Sequence, residues 1–238
     1  MKKMSMKVQV LSDAANQLLL DAGVSQSIID YSVEQYRKND LGHNVDHLDT
    51  VVLECAYYIK LLRTSNQPNR TQLQAIYLAA CLHDIQHHVD SENHHLVAGD
   101  WFLANVEMFK DVCPRVRALA YLAILEHRAS AGLEPSTIVS KIVAAADRGQ
   151  LSHSEALRRS YLFAYTKYND HIAAREHALK KISEKYGDGG YVYKNLPTMV
   201  KNRYRDEIPF IKEDCDNLVK GRRLIDSMHE TWLNNYLG

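Results

Sequence analysis

Cysteine is scarce in this chain of 238 residues, and its four copies, at positions 55, 81, 113 and 215, form no Cys-x-x-Cys pair. That excludes a thiolate zinc ribbon and a disulfide framework, and leaves buried free thiols in a reducing compartment as the expectation. An apolar run of the ~20 residues needed to cross a bilayer is also missing. Ser12, Asp13 and Gln17 interrupt the stretch that follows the early lysines, so neither a membrane span nor a signal peptide is expected, and a cytoplasmic location is. Charge of one sign is lacking too: 29 basic and 29 acidic residues cancel, which argues against a general nucleic-acid binder. The basic pairs Arg158-Arg159, Lys180-Lys181 and Arg222-Arg223 are expected to be solvated helix faces. The alternating apolar-polar runs of strands do not cluster anywhere, which predicts an all-α fold.

Helical periodicity is present almost throughout. Segments 11–22 and 25–38 are amphipathic, with Ser25 a candidate N-cap. Val45, Leu48, Val52, Cys55, Ile59 and Leu62 predict a helix of about five turns from Asn44. Thr71 is a candidate cap for the helix reaching His83-Asp84, and 86–93 reads as a loop. Helices are predicted from His94 to Phe109, from Pro114 through His127, and from a Ser136 or Thr137 cap to Ala146. Beyond residue 150 the pattern is longer and more polar: 152–168, 170–186, then 196–217 and 220–236, with Pro209 a kink or break. The predicted organisation is a helical core with N-terminal helices at 1–150, and a C-terminal helical extension at 151–238 packed on it. The C-terminal tyrosines, among them Tyr161, Tyr165, Tyr191 and Tyr193, are expected in core and interface packing.

The run Tyr77-Leu78-Ala79-Ala80-Cys81-Leu82 ends in His83-Asp84, which continues its apolar stripe. A buried imidazole and a buried carboxylate both need partners, and a divalent cation suits both. Eight of the twelve histidines lie between positions 43 and 127, several at the ends of apolar stripes. His47, His83, Asp84 and Asp147 stand at such positions on three different helices.

His47 before Val51, His83-Asp84 after Leu-Ala-Ala-Cys-Leu, and Ala144-Ala145-Ala146-Asp147-Arg148 resemble the HD superfamily of metal-dependent phosphohydrolases. The resemblance covers residues 40–150 and implies an all-helical bundle in which His47, His83, Asp84 and Asp147 bind a divalent metal. In two-metal branches two more histidines join, here matched by His95 and by His127 in Leu125-Glu126-His127-Arg128, and Asp84 bridges the ions. With one ion, His95 and His127 would bind substrate phosphate instead. Residue types do not select among Mn, Fe, Mg, Ni, Co and Zn. The central motif of several relatives, His-Asp-Ile-Gly-Lys, is His83-Asp84-Ile85-Gln86-His87 here, so His87 takes the place of a phosphate-contacting lysine. Asp84 and His87 are thus the candidate catalytic groups. His43, His88 and Arg148 are candidate substrate-binding residues, with Glu92 and Glu126 behind them, whereas His153, His171, His177 and His229 are expected on the surface.

The implied function is hydrolysis of a small-molecule phosphate substrate, a nucleotide or related phosphate ester, by a metal-activated water. Two other functions fit the same residues: a di-iron oxygenase of the HD type, and a non-catalytic nucleotide-binding sensor. A homo-oligomer through the C-terminal helices is compatible with all three.

Overall fold

The computed structural model describes residues 9–148, 151–193 and 196–235. The expected domain boundary at 150 and the basic start at 1–8 lie outside them. Among the described residues there are twelve α-helices, four short 3-10 turns and no strand, so the fold is all-α.

The helices begin where side chains can receive the first free amides. Asn44 accepts from the Asp46 amide and starts α3 (Val45–Leu61). Asn69, not Thr71, starts α4 (Arg70–Leu82): Asn69 Oδ1 accepts from the Gln72 amide while Gln72 Oε1 accepts from the Asn69 amide, a reciprocal pair that Thr71 has no partner to form. Thr137, Ser152 and Asp170 cap α7 (Ile138–Asp147), α8 (His153–Tyr168) and α9 (His171–Tyr186). Ser12 caps α1 (Asp13–Asp21). Ser25 stands at the start of α2 (Gln26–Tyr36) but makes no capping bond, since its hydroxyl meets Ser27 instead.

α4 is the axis of the core. Every residue from Ala75 to Leu82 is buried, and α4 packs against α3, α7 and α6 (Pro114–Glu126), its alanines allowing close approach. Helix α5 (His94–Ala104) packs on α6 through Gly99, where a Cβ would stand 2.7 Å from Leu125 Cδ2. The stretch expected to continue to Phe109 tightens instead into a 3-10 turn at Val106–Phe109.

The C-terminal region folds as a hairpin of α8 and α9, turned at Asn169, whose φ of 49° is left-handed. Pro209 does not kink a long helix. It sits in the first turn of α11 (Ile208–Asp216), where its missing amide costs nothing, after the separate short α10 (Thr198–Arg203). α12 (Leu218–Asn234) covers α8. One apolar cluster runs from Ala15 to Trp232 through core and hairpin alike. Arg203 ties α10 to the core: its guanidinium pairs with the Glu54 carboxylate on α3 and lies 4.0 Å from the centre of the Tyr57 ring. Cys55, Cys81 and Cys215 are buried, but Cys113, which precedes α6, is exposed, and His153 is buried rather than on the surface. No helix among the described residues is long and apolar enough to cross a membrane.

Candidate metal centre

Five helix ends meet around Asp84. His47 is in the first turn of α3, His83 follows α4, His94 begins α5, His127 follows α6, and Asp147 ends α7. Their atoms form two groups that share one carboxylate. In the first, His47 Nε2 is 3.4 Å from His83 Nε2, 3.4 Å from Asp84 Oδ2 and 3.2 Å from Asp147 Oδ1. His83 Nε2 is 3.5 Å from Asp84 Oδ2 and 3.8 Å from Asp147 Oδ1. In the second, His94 Nε2 and His127 Nε2 are 3.2 Å apart, and lie 3.2 and 3.4 Å from Asp84 Oδ1. Ligands ~2.1 Å from a tetrahedral ion are ~3.4 Å from one another, so both groups have the spacing of a coordination shell.

The protons on three of these rings can be placed. The Nδ1 of His83, His94 and His127 lies 2.9, 3.0 and 2.7 Å from the carbonyl oxygens of Ala80, Ser91 and Ile124, three residues back in each case. A carbonyl only accepts, so each Nδ1 carries the proton and donates, which leaves Nε2 with a lone pair directed inward. Asp84 Oδ1 is buried and accepts no hydrogen bond. Converging lone pairs and a carboxylate repel one another unless a cation lies between them. A proton on one ring relieves one contact at a time, whereas a divalent ion relieves a whole group, so the donor set fits a metal.

Burial opposes ionisation of Asp84, yet the imidazoles of His83, His94, His127 and His47 hold its carboxyl well below the usual carboxylate range. Asp147, half-buried where the cleft reaches it, is likewise held low by His47, His127 and His83. Burial pushes His83 and His94 down to about 4, which keeps their nitrogens available as ligands. His127 moves the other way: burial is outweighed by the nearby charges of Asp84 and Asp147.

Of the expected ligands, the structure brings together His47, His83, Asp84, His127 and Asp147, but not His95. His94 stands in its place. The two neighbours point about 100° apart around the helix. The Gly99 side that His95 shares packs on α6, while His94 turns to Asp84. His95 is buried and its Nδ1 has no hydrogen-bond partner.

His87 is also displaced from its expected role. It is buried, absent from the walls of the clefts, and stacked on His43 with ring centres 4.0 Å apart. Both rings meet Asp40: His43 Nδ1 at 3.0 Å and His87 Nδ1 at 3.2 Å from Oδ2, with the Gly42 amide donating to Oδ1. Desolvation pushes His87 down to about 3, a poor proton donor near neutrality. His88 is exposed and bound to Asn39, and Glu92 is exposed beside Asp90. Glu126 accepts from Ser136 and fixes the entry to α7. Arg148 donates from Nη1 to the His127 carbonyl at 2.8 Å and to Asp147 Oδ2 at 3.1 Å, so it orients two ligands.

Sequence patterns missed three supports. Asp40 sits between the predicted segment 25–38 and the helix that starts at Asn44. Tyr36 is fully buried, and its hydroxyl accepts from the Asp84 amide and lies 3.1 Å from His83 Nδ1. Asn39 Nδ2 donates to the carbonyls of Asp84 and His43. Only the spacing Asp40-x-x-His43, beside a ligand-bearing helix, hinted at any of these.

A cleft of about 100 Å³ opens onto Asp84, His94, Asp147 and His43. A second, of about 200 Å³, reaches His47 and shares Arg148, Arg159 and Tyr186 with the first. Arg159, expected on a solvated face, instead donates to the Gly42 carbonyl and lines both.

No protein-family model matches the chain, and neither the curated proteins nor the solved structures contain a match. What the site does must therefore be argued from its own chemistry.

Proposed function

We propose that the protein is a metal-dependent phosphohydrolase of the HD type, acting on a small phosphate ester such as a nucleotide. The observation that carries this is Asp84, whose two oxygens face two separate groups of nitrogen ligands beneath a cleft walled by cations. Divalent ions bound there would act as Lewis acids toward a phosphoryl group and supply a water acidified toward neutrality. Asp84 joins the two groups, and His47, His83, Asp147, His94 and His127 complete them. Arg148 holds Asp147 and the His127 backbone in register. His43 has Nδ1 engaged by Asp40, so Nε2 is the atom through which it bonds a phosphoryl oxygen or exchanges a proton with substrate. His87, stacked behind it on the same carboxylate, fixes the plane of that ring.

The test is the double substitution His83→Ala/Asp84→Ala, assayed for metal content and for phosphate release from nucleotides in the presence of added divalent metals. Loss of both is expected, and retained phosphate release overturns the proposal. Substrate-dependent oxygen uptake by an iron-loaded protein that releases no phosphate would instead identify an oxygenase built on the same ligands.

A further inference from the structure

The first cleft has two walls of different origin. Arg128 and Arg148, at the ends of α6 and α7, belong to the helices that carry the metal ligands. Arg159 on α8 and Lys185 on α9 face them from the C-terminal hairpin. Arg148 is committed to Asp147. Among the described residues, Arg128, Arg159 and Lys185 form no ion pair with any carboxylate, although the chain has as many acidic as basic groups. Arg159 is held in place from both sides, since its Nε donates to the Gly42 carbonyl and a Cβ on Gly42 would stand 2.9 Å from the Arg159 carbonyl oxygen. Tyr186, like Arg159, lies in the walls of both clefts.

Three cations without a carboxylate partner around a small opening, with Lys185 Nζ lying 5.2 Å from the centre of the Tyr186 ring, exceed what one phosphate group needs, because the metal ions would already neutralise the phosphoryl group resting on them. We propose that Arg159 and Lys185 form an anion clamp for a second phosphate group, so that the substrate is a small organic di- or triphosphate. This rests on the phosphohydrolase assignment of the metal centre. Asp84 is 2% exposed at the base of the cleft, which no duplex or folded protein reaches, so the ligand is a small molecule. Arginine forks the second phosphate with paired charge-assisted bonds, and lysine adds a point charge. The C-terminal hairpin, on this account, selects substrates by phosphate number while the core performs the chemistry.

The test uses the full chain, loaded with manganese and freed of excess metal. Its affinity for inorganic phosphate and for imidodiphosphate, a diphosphate that resists hydrolysis, is measured by calorimetry. The wild-type protein is expected to bind imidodiphosphate at least about tenfold more tightly than phosphate. The double variant Arg159→Ala/Lys185→Ala should lose about tenfold or more for imidodiphosphate and less than about threefold for phosphate. Because Arg159 also holds the Gly42 loop, Lys185→Glu, which touches no backbone group, should show the same selective loss. Unchanged affinity for imidodiphosphate in both variants, or equal losses for the two anions, overturns the clamp. If imidodiphosphate binds through these residues but no phosphate ester is cleaved, the clamp stands and the hydrolase assignment falls. If esters are cleaved while the variants bind imidodiphosphate as the wild type does, the reverse holds.

Discussion

Two of the histidine–aspartate clusters among the described residues are built from the same kinds of side chain, and they differ in what they leave for an ion to bind. In the C-terminal helices His171 lies between the Tyr161 hydroxyl and Asp226, at 3.1 Å from each, with the His229 ring tilted against it, centres 4.0 Å apart. Arg175 neutralises Asp226 at 2.8 Å, and the cluster is partly open to water. Both nitrogens of His171 have partners and the charge is paired, so nothing remains for an ion to do. Around Asp84 the outer nitrogens of His83, His94 and His127 are saturated by helix-end carbonyls, their inner ones converge, and Asp84 Oδ1 has no donor. A metal site is thus marked by unsatisfied acceptors turned toward one point, rather than by histidine and aspartate as such.

Substitutions separate the two clusters. Asp84→Ala should have the largest effect, removing a ligand from both groups and lowering bound metal from two equivalents to near zero by elemental analysis. A protein that keeps both ions without Asp84 would break the comparison. His94→Ala should cost one equivalent, and His95→Ala should cost none. The opposite pattern would return the ligand role to His95. Arg203→Ala should leave metal content unchanged while lowering stability by about 2 kcal/mol, less than the ~3–5 kcal/mol of a fully buried pair because both side chains keep some contact with water. For a chain of this size that is a fall of ~4–8 °C in the melting temperature. Smallest of all, His171→Ala should change stability by less than about 1 kcal/mol, as a half-exposed pair does, and leave metal binding untouched.

The helical class and most helix starts were legible because apolar spacing and capping residues are local. The caps that were misplaced, Thr71 for Asn69 and an idle Ser25, depend on which side chain has a reciprocal partner, which spacing alone does not say. The same limit separated His94 from His95: both are buried, and only the packing of Gly99 on α6 decides which turns to Asp84. His47, His83, Asp84, His127 and Asp147 stood out because each interrupts an apolar stripe at a helix end. Asp40 and Asn39 did not, since a polar residue in a polar loop carries no such contrast. Arg159 and Lys185 reach the cleft across more than a hundred residues of chain from the loop they face, through a hairpin whose docking no local pattern encodes.

The most direct test of a shared Asp84 carboxylate is anomalous diffraction from crystals of the manganese-loaded protein. Two peaks ~3.5–4 Å apart are expected, one beside Asp84 Oδ2 with His47, His83 and Asp147, the other beside Oδ1 with His94 and His127. No peak at Asp84, or a single peak with Oδ1 left without a ligand, would contradict the account.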